Sequence, residues 1–490
     1  LTIGLTPVLL EQLADPRFPP KFLAYLEQKS RAAQEDRRTF KSRGEESLAR
    51  LAGLWDAFYR RTAAFFTDDL SADLIDAFRR LQGEKHIETI ASAATHAYLP
   101  LLGLDQSVQA QVEIGTACYQ RHFGTPSQGF WLPECAYRPA SSWTPPVAGV
   151  PAADRRSIAH ILSAYGISYF LVDTRQLKSS PPDYDRHSPS AVYWVDGRDA
   201  LPFSANVALF TRDFETTSRV WQHDSGYPGD PRYLEFHKKQ GAGGLRYWRI
   251  TDRQADLAYK QPYVPEWAFA QVRVHAAHFF QVLRESLRTH WQQTGEQGII
   301  VAAFDTELFG HWWFEGPQWV AELLRHLAAD SEITLTTCGE YLSRHPPQRA
   351  VQLIESSWGA GGDHRVWLQD DTRPLWRDLY QAECDLQTLG EQVNGKKADR
   401  RLVRILRQCG RELLLLQSSD WSFMISTWST RDHAERRFAL HLDNFRRLRH
   451  MAEQYLAGKA IAEPEWRLLD EMGHQHPLFR NLDLNAFWRR

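Results

Sequence analysis

The chain of 490 residues carries 58 Lys and Arg against 60 Asp and Glu, a balance that argues against a nucleic-acid-binding or membrane-surface protein. Its length allows one large catalytic domain and at least one smaller domain. The five cysteines are odd in number and widely spaced, and no membrane-spanning run or signal peptide is visible, so we expect a reduced, cytoplasmic protein without a disulfide framework or a cysteine zinc site.

The first third of the chain alternates between strand and helix patterns. Residues 1–9 predict a strand that runs into a turn and a helix, and residues from about 19 to 82 predict a helical excursion. Further strands are predicted at 86–92, 129–132 and 167–173. This alternation favours a parallel α/β architecture, with residues 1–174 as the first part of a catalytic barrel.

After Asp173 the composition changes. The Pro- and Ser-rich stretch 178–185 predicts a mobile loop within a small inserted domain, residues 175–206. The barrel resumes over 207–354, with strands predicted at 207–213, 299–304 and around Leu335. Residues 355–490 predict a helical domain, whose two apolar stripes are Leu402, Ile405, Leu406, Cys409, Leu413 and Leu416, and Phe438, Leu442, Phe445 and Leu448.

An acidic residue follows each of two predicted strands. Glu134 follows an apolar run that ends at a proline, and Asp305 directly follows the apolar residues 299–304. Acidic residues at the carboxyl ends of buried strands, among tryptophans, suggest a barrel mouth that handles sugar, and two carboxylates are the minimum for glycoside chemistry. Each residue alone is more often a helix cap or an ion-pair partner, but together they favour catalysis. The apolar neighbours of Asp305 would raise its pKa by desolvation, as a general acid requires.

Other polar candidates stay open at this point. Glu307 and Glu315 compete as catalytic carboxylates. His96 is compatible with a metal ligand, a partner for sugar hydroxyls or a structural histidine. The metal ligand is the least favoured reading because His96 is not part of a His-x-x-His or His-Glu-x-x-His spacing. His311 and His364 lie beside aromatic residues and are interpreted as structural or substrate-bonding, and we predict neither a metal nor a cofactor.

The chain contains eighteen tryptophans, many of them in polar, glycine-rich stretches. Tryptophans fill cores and interfaces, or serve as stacking platforms for the apolar faces of sugar rings. Trp358, Trp367 and Trp421 lie among Gly, Asp and Ser rather than in apolar stripes, which favours a binding role for them.

Six segments together resemble glycoside hydrolase family 57, and within it they most resemble the 1,4-α-glucan branching enzymes. They occur in order along essentially the whole chain: 94–103 (ATHAYLPLLG), 129–139 (GFWLPECAYRP), 212–221 (RDFETTSRVW), 303–317 (AFDTELFGHWWFEGP), 356–367 (SSWGAGGDHRVW) and 418–421 (SSDW). The resemblance implies an α/β fold, namely a distorted (β/α)7 barrel with a small inserted domain and a C-terminal α-helical domain that closes over the cleft.

The resemblance also implies a retaining mechanism. Glu134 would be the nucleophile that forms a glycosyl-enzyme ester, and Asp305 would protonate the leaving oxygen and then activate the acceptor. The substrate-binding residues implied by motif position are Arg212, Gly229, Trp358, Asp420, His96, Trp221, Tyr184, Trp367 and Trp421. Tyr184 lies on the predicted mobile loop, which would help to exclude water from the site.

The family opens with a first barrel strand that carries a His-x-His-like motif, whereas this chain begins at what resembles the second strand. We therefore expect the sequence to be an incomplete record of a longer protein.

The implied activity transfers a segment of an α-1,4-glucan to a 6-hydroxyl, which forms an α-1,6 branch as in glycogen synthesis. The predicted partner is α-1,4-glucan, without nucleic acid or membrane. Open alternatives are a 4-α-glucanotransferase, an α-amylase and a non-catalytic glucan-binding homologue. A metal-dependent deacetylase on a similar barrel is disfavoured because its Asp-His-His set is not evident.

Overall fold

The structure is a computed structural model, and it describes residues 1–179, 188–196, 207–222, 225–393 and 399–488. The strands are β1 (Thr2–Gly4), β2 (Glu88–Ser92), β3 (Gly129–Trp131), β4 (Ser141–Trp143), β5 (Ala153–Arg155), β6 (Tyr169–Asp173), β7 (Tyr193–Val195), β8 (Ala208–Arg212) and β9 (Ala350–Val351). Within these ranges, the main sheet has seven strands in the order β1-β2-β3-β6-β8-β7-β9.

The sheet is mostly parallel. Strands β1, β2, β3, β6 and β8 run in one direction, β7 is antiparallel to β8, and β4 and β5 form a separate antiparallel pair. Because parallel strands are joined by crossover segments, their carboxyl ends meet at one edge, where ligands of such sheets usually bind.

Helices surround the sheet and form the C-terminal part of the chain. They are α1 (Pro7–Leu13), α2 (Phe18–Ser42), α3 (Glu46–Ala64), α4 (Leu74–Gly83), α5 (Asp105–Phe123), α6 (Ile158–Ala164), α7 (Phe214–Trp221), α8 (Pro265–Thr294), α9 (Gly316–Ala329), α10 (Cys338–Arg344), α11 (Arg373–Val393), α12 (Arg400–Leu416), α13 (Ser419–Ser426), α14 (Arg431–Leu456) and α15 (Glu463–Gln475). The predicted helical excursion corresponds to α2, α3 and α4. In the described part of the chain, no helix is both long and apolar enough to cross a lipid bilayer.

One continuous apolar core joins the sheet to the C-terminal helices. Phe130 of β3 and Phe170 of β6 are fully buried in the same cluster as Leu406 of α12 and Phe445 of α14. Every residue of the two predicted apolar stripes is buried, so the prediction of these two helix faces is confirmed. Burial of this apolar surface holds the C-terminal helical region firmly against the main sheet.

A glycine allows the central strands to approach closely. A Cβ atom at Gly129 would lie 2.4 Å from the ring of Tyr169, which is too close for any other residue. Tyr169 in turn donates a hydrogen bond of 2.6 Å to Glu88 on β2. This packing fixes β3, the strand that leads directly to Glu134.

Two predicted strands are wrong. Residues 299–304 make only an isolated parallel bridge between Val301 and Arg212, with the Asp213 amide donating to the Val301 carbonyl at 2.9 Å. The residues around Leu335 are in no strand of the described chain. A strand needs a hydrogen-bonding partner along its length, and both segments instead border a large cavity. The bridge nevertheless brings Asp305 to the carboxyl end of β8.

One described part of the predicted insertion joins the main sheet. Residues 193–195 form β7, which pairs with β8 and β9 in the main sheet. The apolar pattern here predicted β-structure but did not show which strands it would join. The domain boundaries at 174, 206 and 354 stay predictions.

Candidate active site

A cavity of about 1750 Å³ runs between β1, the segment 299–305 and the helical region. Its lining combines apolar and aromatic side chains with a few charged groups, as in sites that bind extended organic ligands. The predicted site residues among its lining are His96, Glu134, Arg212, Trp221, Asp305, Trp358, Trp367 and Asp420. The two carboxylates, more than 170 positions apart in the sequence, therefore face the same cavity.

Glu134 has an unusual backbone conformation. It lies in a short 3-10 turn, Pro133–Cys135, directly after β3. Its φ angle is +61°, and that of Cys135 is +48°, a left-handed region that costs non-glycine residues about 1–3 kcal/mol each. The Trp358 amide donates to the Glu134 carbonyl at 3.0 Å, and the Gln176 side chain donates to the Cys135 carbonyl at 2.9 Å. These bonds hold the strained turn, which aims the Glu134 side chain into the cavity.

The carboxylate of Glu134 is held at both oxygens. The Trp358 indole donates to Oε2 at 2.8 Å, and the Ser419 hydroxyl donates to Oε1 at 2.9 Å. His96 Nδ1 lies 3.9 Å from Oε1. Burial raises the pKa of Glu134, whereas His96 and the two donors lower it. The net effect is a raised pKa of Glu134, because burial outweighs the opposing groups. The two hydrogen bonds offset part of this rise, since they stabilise the ionised form.

Asp305 is in a different electrostatic setting. Its side chain does not cap the short 3-10 helix Thr306–Leu308 that follows it. Burial raises the pKa of Asp305 to about 7, with further raising by the negative charges of Glu307 and Glu134 and an opposing effect of Arg212. The carboxyl of Asp305 therefore holds a proton near neutral pH, as a general acid requires.

Arg212 is positioned by a buried ion pair. At the end of β8, its guanidinium donates to Asp173 Oδ2 at 2.6 and 3.1 Å, and Asp173 is fully buried at the end of β6. Arg175 donates to the other oxygen of Asp173 at 2.9 Å. The guanidinium of Arg212 lies 5.3 Å from the centre of the Trp358 ring. This arrangement fixes a positive charge near Asp305, whose pKa it lowers.

The predicted tryptophans have different surroundings. Trp221 is 41% exposed on the cavity wall, where a ligand would cover it. Trp367 is almost fully buried and stacks on Tyr98 with 4.4 Å between ring centres, so only its edge borders the cavity. Trp421 donates from its indole to the Leu415 carbonyl at 2.7 Å and packs against the main core, so the structure places it in the helical region rather than in the cavity lining.

Two further predicted residues are not brought to the cavity, and a third lies outside the described residues. Gly229 does not line it; its carbonyl accepts from Arg253 at 2.7 Å, and a Cβ atom there would lie 2.3 Å from that guanidinium. Glu315 is fully buried elsewhere and accepts from Tyr263 at 2.6 Å, so the structure separates it from Asp305. Tyr184 lies outside the described residues.

Of the competing polar candidates, Glu307 lines the cavity with its side chain exposed. The ring of His364 bridges Tyr98 at 2.9 Å and Glu355 at 2.8 Å, which is a structural arrangement. His311 stacks edge-on against Phe236, with ring centres 5.4 Å apart.

Two clusters of the described residues have the donor atoms that a metal ion would need, and both lie outside the cavity lining. They are Glu11, Cys118 and His122, and Glu412, His441 and His476. In the second cluster Glu412 accepts from the His441 and His476 rings at 2.7 and 2.8 Å. Burial of Glu412 is offset by these two bonds, so its pKa falls to about 2. Internal hydrogen bonds thus satisfy this cluster.

Ser419, Asp173 and Phe214 belong to the site but were missed in the sequence. Ser419 lies in the segment 418–421 that carried the resemblance, yet a serine beside an aspartate gave no sign of a contact with Glu134. Phe214 is 54% exposed on the cavity wall, and its position directly after β8 could have indicated this.

The profile of glycosyl hydrolase family 57 matches residues 24–354, more than half of the chain. The chain belongs to glycosyl hydrolase family 57. A second profile, that of the C-terminal region of 1,4-α-glucan branching enzymes, matches residues 378–487. The family resemblance predicted from the motifs is therefore confirmed.

Relatives in this family are similar over most of the chain. The 1,4-α-glucan branching enzyme of Thermococcus kodakarensis is 37% identical over 98% of this chain and 70% of its own length. A probable 1,4-α-glucan branching enzyme of Mycobacterium tuberculosis is 33% identical over 72% of this chain and 62% of its own.

Solved structures of the family support the same fold. The crystal structure of the family 57 branching enzyme of Pyrococcus horikoshii matches with a TM-score of 0.91 at 36% identity, covering all of this chain and 87% of that one. The α-amylase AmyC of Thermotoga maritima matches with a TM-score of 0.83 at 26% identity, covering all of this chain and 90% of that one. The predicted fold class, a mostly parallel α/β domain with a C-terminal helical domain, is confirmed.

Proposed function

We propose that this family 57 protein is a 1,4-α-glucan branching enzyme, which cleaves an α-1,4 bond and transfers the released segment to a 6-hydroxyl. The observation that carries the proposal is the pair of carboxylates in one cavity. Burial raises the pKa of both, to about 7 for Asp305, but Glu134 also accepts two hydrogen bonds that stabilise its charge. The similarity to the branching enzyme of Thermococcus kodakarensis over nearly the whole chain supports the choice of reaction.

The different settings of the two carboxylates support different roles. A nucleophile must be ionised, and Glu134 accepts two hydrogen bonds that stabilise its charge. A general acid must carry a proton, and the pKa of Asp305 is raised to about 7. We therefore assign Glu134 as the nucleophile and Asp305 as the acid and base.

The reaction then proceeds in two displacements. Asp305 gives its proton to the glycosidic oxygen while Glu134 attacks the anomeric carbon, so the α-1,4 bond breaks and a glycosyl-enzyme ester forms. The remainder of the donor chain leaves with a new 4-hydroxyl. The ionised Asp305 next takes the proton of an acceptor 6-hydroxyl, whose oxygen attacks the anomeric carbon and releases Glu134. The two inversions retain the α configuration and form an α-1,6 bond.

Exposed aromatic side chains on the cavity wall fit the need to bind glucan and to keep water from the ester. Phe214 is 54% exposed, Trp221 41% and Phe423 39%, and all three line the cavity. Sugar rings stacked on these faces would cover them and displace water. Transfer to a hydroxyl then competes better against hydrolysis.

Incubation of the protein with amylose tests the proposed reaction. New α-1,6 anomeric signals in proton NMR, with few new reducing ends, are expected. Glu134→Gln and Asp305→Asn should abolish both the new α-1,6 signals and the release of reducing ends, while the far-ultraviolet circular dichroism stays unchanged. Full activity in either folded variant would refute the role of that residue.

Azide rescue tests which carboxylate plays which role. With an activated α-glucosyl fluoride donor, azide replaces the missing nucleophile in Glu134→Ala, so a β-glycosyl azide is expected. In Asp305→Ala the ester still forms, and azide attacks it from the opposite face to give an α-glycosyl azide. The reverse pattern would exchange the two assignments.

Hydrolysis is the second candidate, since the chain is also similar in structure to the α-amylase AmyC. Release of reducing ends from amylose without α-1,6 signals would favour it. If the wild-type protein changes amylose in neither way but still retains it on an affinity gel, a glucan-binding role would replace both enzymatic functions.

A further inference from the structure

We propose that Ser419, at the start of α13 in the helical region, is a positioning residue for the nucleophile, which its hydroxyl links to His96. This inference rests on the proposed role of Glu134 and extends it, because it makes the helical region a working part of the catalytic site. Ser419 is 1% exposed, and its hydroxyl donates to Glu134 Oε1 at 2.9 Å.

The hydroxyl of Ser419 links two groups that do not bond directly. His96 Nδ1 lies 3.0 Å from Ser419 Oγ but 3.9 Å from Glu134 Oε1, which is beyond hydrogen-bond distance. Since the single hydroxyl proton is donated to Glu134, the oxygen accepts from His96, whose Nδ1 must then carry its proton. His96 thus fixes the orientation of the Ser419 hydroxyl, which in turn holds one oxygen of the Glu134 carboxylate. Trp358 holds the other oxygen.

The backbone around Ser419 is anchored at the site independently of its side chain. The Ser419 amide donates to the His96 carbonyl at 3.0 Å, and Ser418 forms an antiparallel bridge with Ala97. His96 itself has a left-handed φ of +55°, so this docking also holds a strained residue.

Two buried side chains add hydrogen bonds to this contact between residues 95–111 and residues 414–419, which we call the seam. The Thr95 hydroxyl donates to the Leu414 carbonyl, and Gln111 donates to Gln417 at 2.8 Å. The seam fixes the start of α13 against the loop after β2, so the hydroxyl of Ser419 is aimed at Glu134 before any substrate binds. Preorganised donors of this kind contribute to catalysis without reorganisation in the reaction.

The test is Ser419→Ala, with Ser422→Ala as the matched control. Ser422 is also buried on α13, and its hydroxyl donates to the Ser419 carbonyl at 3.1 Å rather than to Glu134. For Ser419→Ala we expect kcat to fall about 10- to 100-fold, the scale of one hydrogen bond to a charged group. KM should change little. Ser422→Ala should stay within about twofold of the wild type, because it removes a hydroxyl of the same helix that does not reach the carboxylate.

The pH profile separates positioning from a structural effect. The bond from Ser419 lowers the pKa of Glu134, so its loss should move the acidic limb of kcat/KM to higher pH. Ser419→Ala leaves in place the other ionisable groups that face the nucleophile, which are His96, Asp420, Asp305, Tyr98 and Cys135. A folded Ser419→Ala with an unmoved acidic limb would overturn the proposal, as would equal losses in the two alanine variants.

A second variant keeps the test decisive if Ser419→Ala does not fold. Ser419→Cys preserves the shape but offers a much weaker donor, so the same direction of change is expected, and an unmoved limb in the folded cysteine variant would overturn the proposal. Glu134→Gln in the same assay distinguishes the two levels of inference. If Glu134→Gln stays active, the proposed role of Glu134 fails and that of Ser419 with it. If Glu134→Gln is inactive but Ser419→Ala behaves like the wild type, only the role of Ser419 fails.

Discussion

Replacing Asp305 by asparagine should remove catalysis and, above neutral pH, make the protein more stable. The pKa of this carboxyl is raised from its ordinary value of 3.8 to about 7 by burial and by two neighbouring negative charges. The folded state therefore holds the proton more tightly than the unfolded chain does. As the pH rises from about 4 towards 7, the unfolded chain loses this proton while the folded protein keeps it, so the free energy of unfolding falls. Above pH 7 the folded protein also loses the proton and retains an unfavourable buried charge.

The size of the effect follows from the two pKa values. A rise from 3.8 to about 7 corresponds to a free energy of at most about 4 kcal/mol. Because Asp305 is only partly shielded from solvent, we expect about half of this, or about 2 kcal/mol, as the gain of Asp305→Asn at pH 8. At pH 4 the gain should be at most about 0.5 kcal/mol, because the folded carboxyl is then protonated and the pH is close to the ordinary pKa of 3.8 in the unfolded chain. Transfer activity should fall by about 10³-fold, the usual contribution of a general acid.

Denaturant unfolding followed by tryptophan fluorescence at pH 4, 6 and 8 measures this difference. The control is Asp363→Asn, because Arg365 lowers the pKa of the Asp363 carboxyl, so neutralising it should give no gain at any pH. A gain for Asp305→Asn that is absent at pH 8, or equally large at pH 4, would refute the electrostatic account of Asp305.

Three other changes test separate parts of the structure. Trp358→Phe keeps an aromatic ring but removes the indole donor to Glu134, so kcat should fall about tenfold; unchanged steady-state kinetics would contradict this. Glu315→Gln should leave activity unchanged and raise the free energy of unfolding above pH 7 by about 1–3 kcal/mol, because burial raises the pKa of Glu315 to about 7; a loss of activity would return this residue to the catalytic candidates. Glu412→Gln breaks the buried hydrogen bonds from two histidines, which lower the pKa of Glu412 to about 2. It should therefore destabilise the protein at pH 7 by about 3–5 kcal/mol. This difference in stability should shrink as the pH falls below 4.5. A constant difference between pH 7 and pH 4 in denaturant unfolding would contradict that explanation.

Several features of this protein could be predicted from local patterns. Glu134 and Asp305 could be picked out because each follows an apolar run. A buried segment that ends at a sheet edge leaves its next polar residue at the surface of a cleft. The apolar stripes of α12 and α14 follow the 3.6-residue period of a helix, and all of their residues are buried. The family was also recognisable, since its motifs are long and occur in order.

Other predictions failed where the outcome depended on distant partners. The apolar run 299–304 has the composition of a strand, but only Val301 finds a neighbour in the sheet. Trp358 and Trp421 lie in similar polar stretches, yet Trp358 donates to Glu134 and Trp421 donates to a carbonyl of the helical region. Composition alone did not distinguish these cases.

The family, the helix faces and the two carboxylates that follow apolar runs could be read from the sequence, since motifs, periodicity and apolar runs are all properties of neighbouring residues. The groups that surround those carboxylates come from distant parts of the chain and could not be read from it. Ser419 lies 285 positions from Glu134, and Trp358 lies 224 positions from it. The protonation states depend on burial and on these distant donors, because the electrostatics of a side chain are set by the segments that packing brings around it.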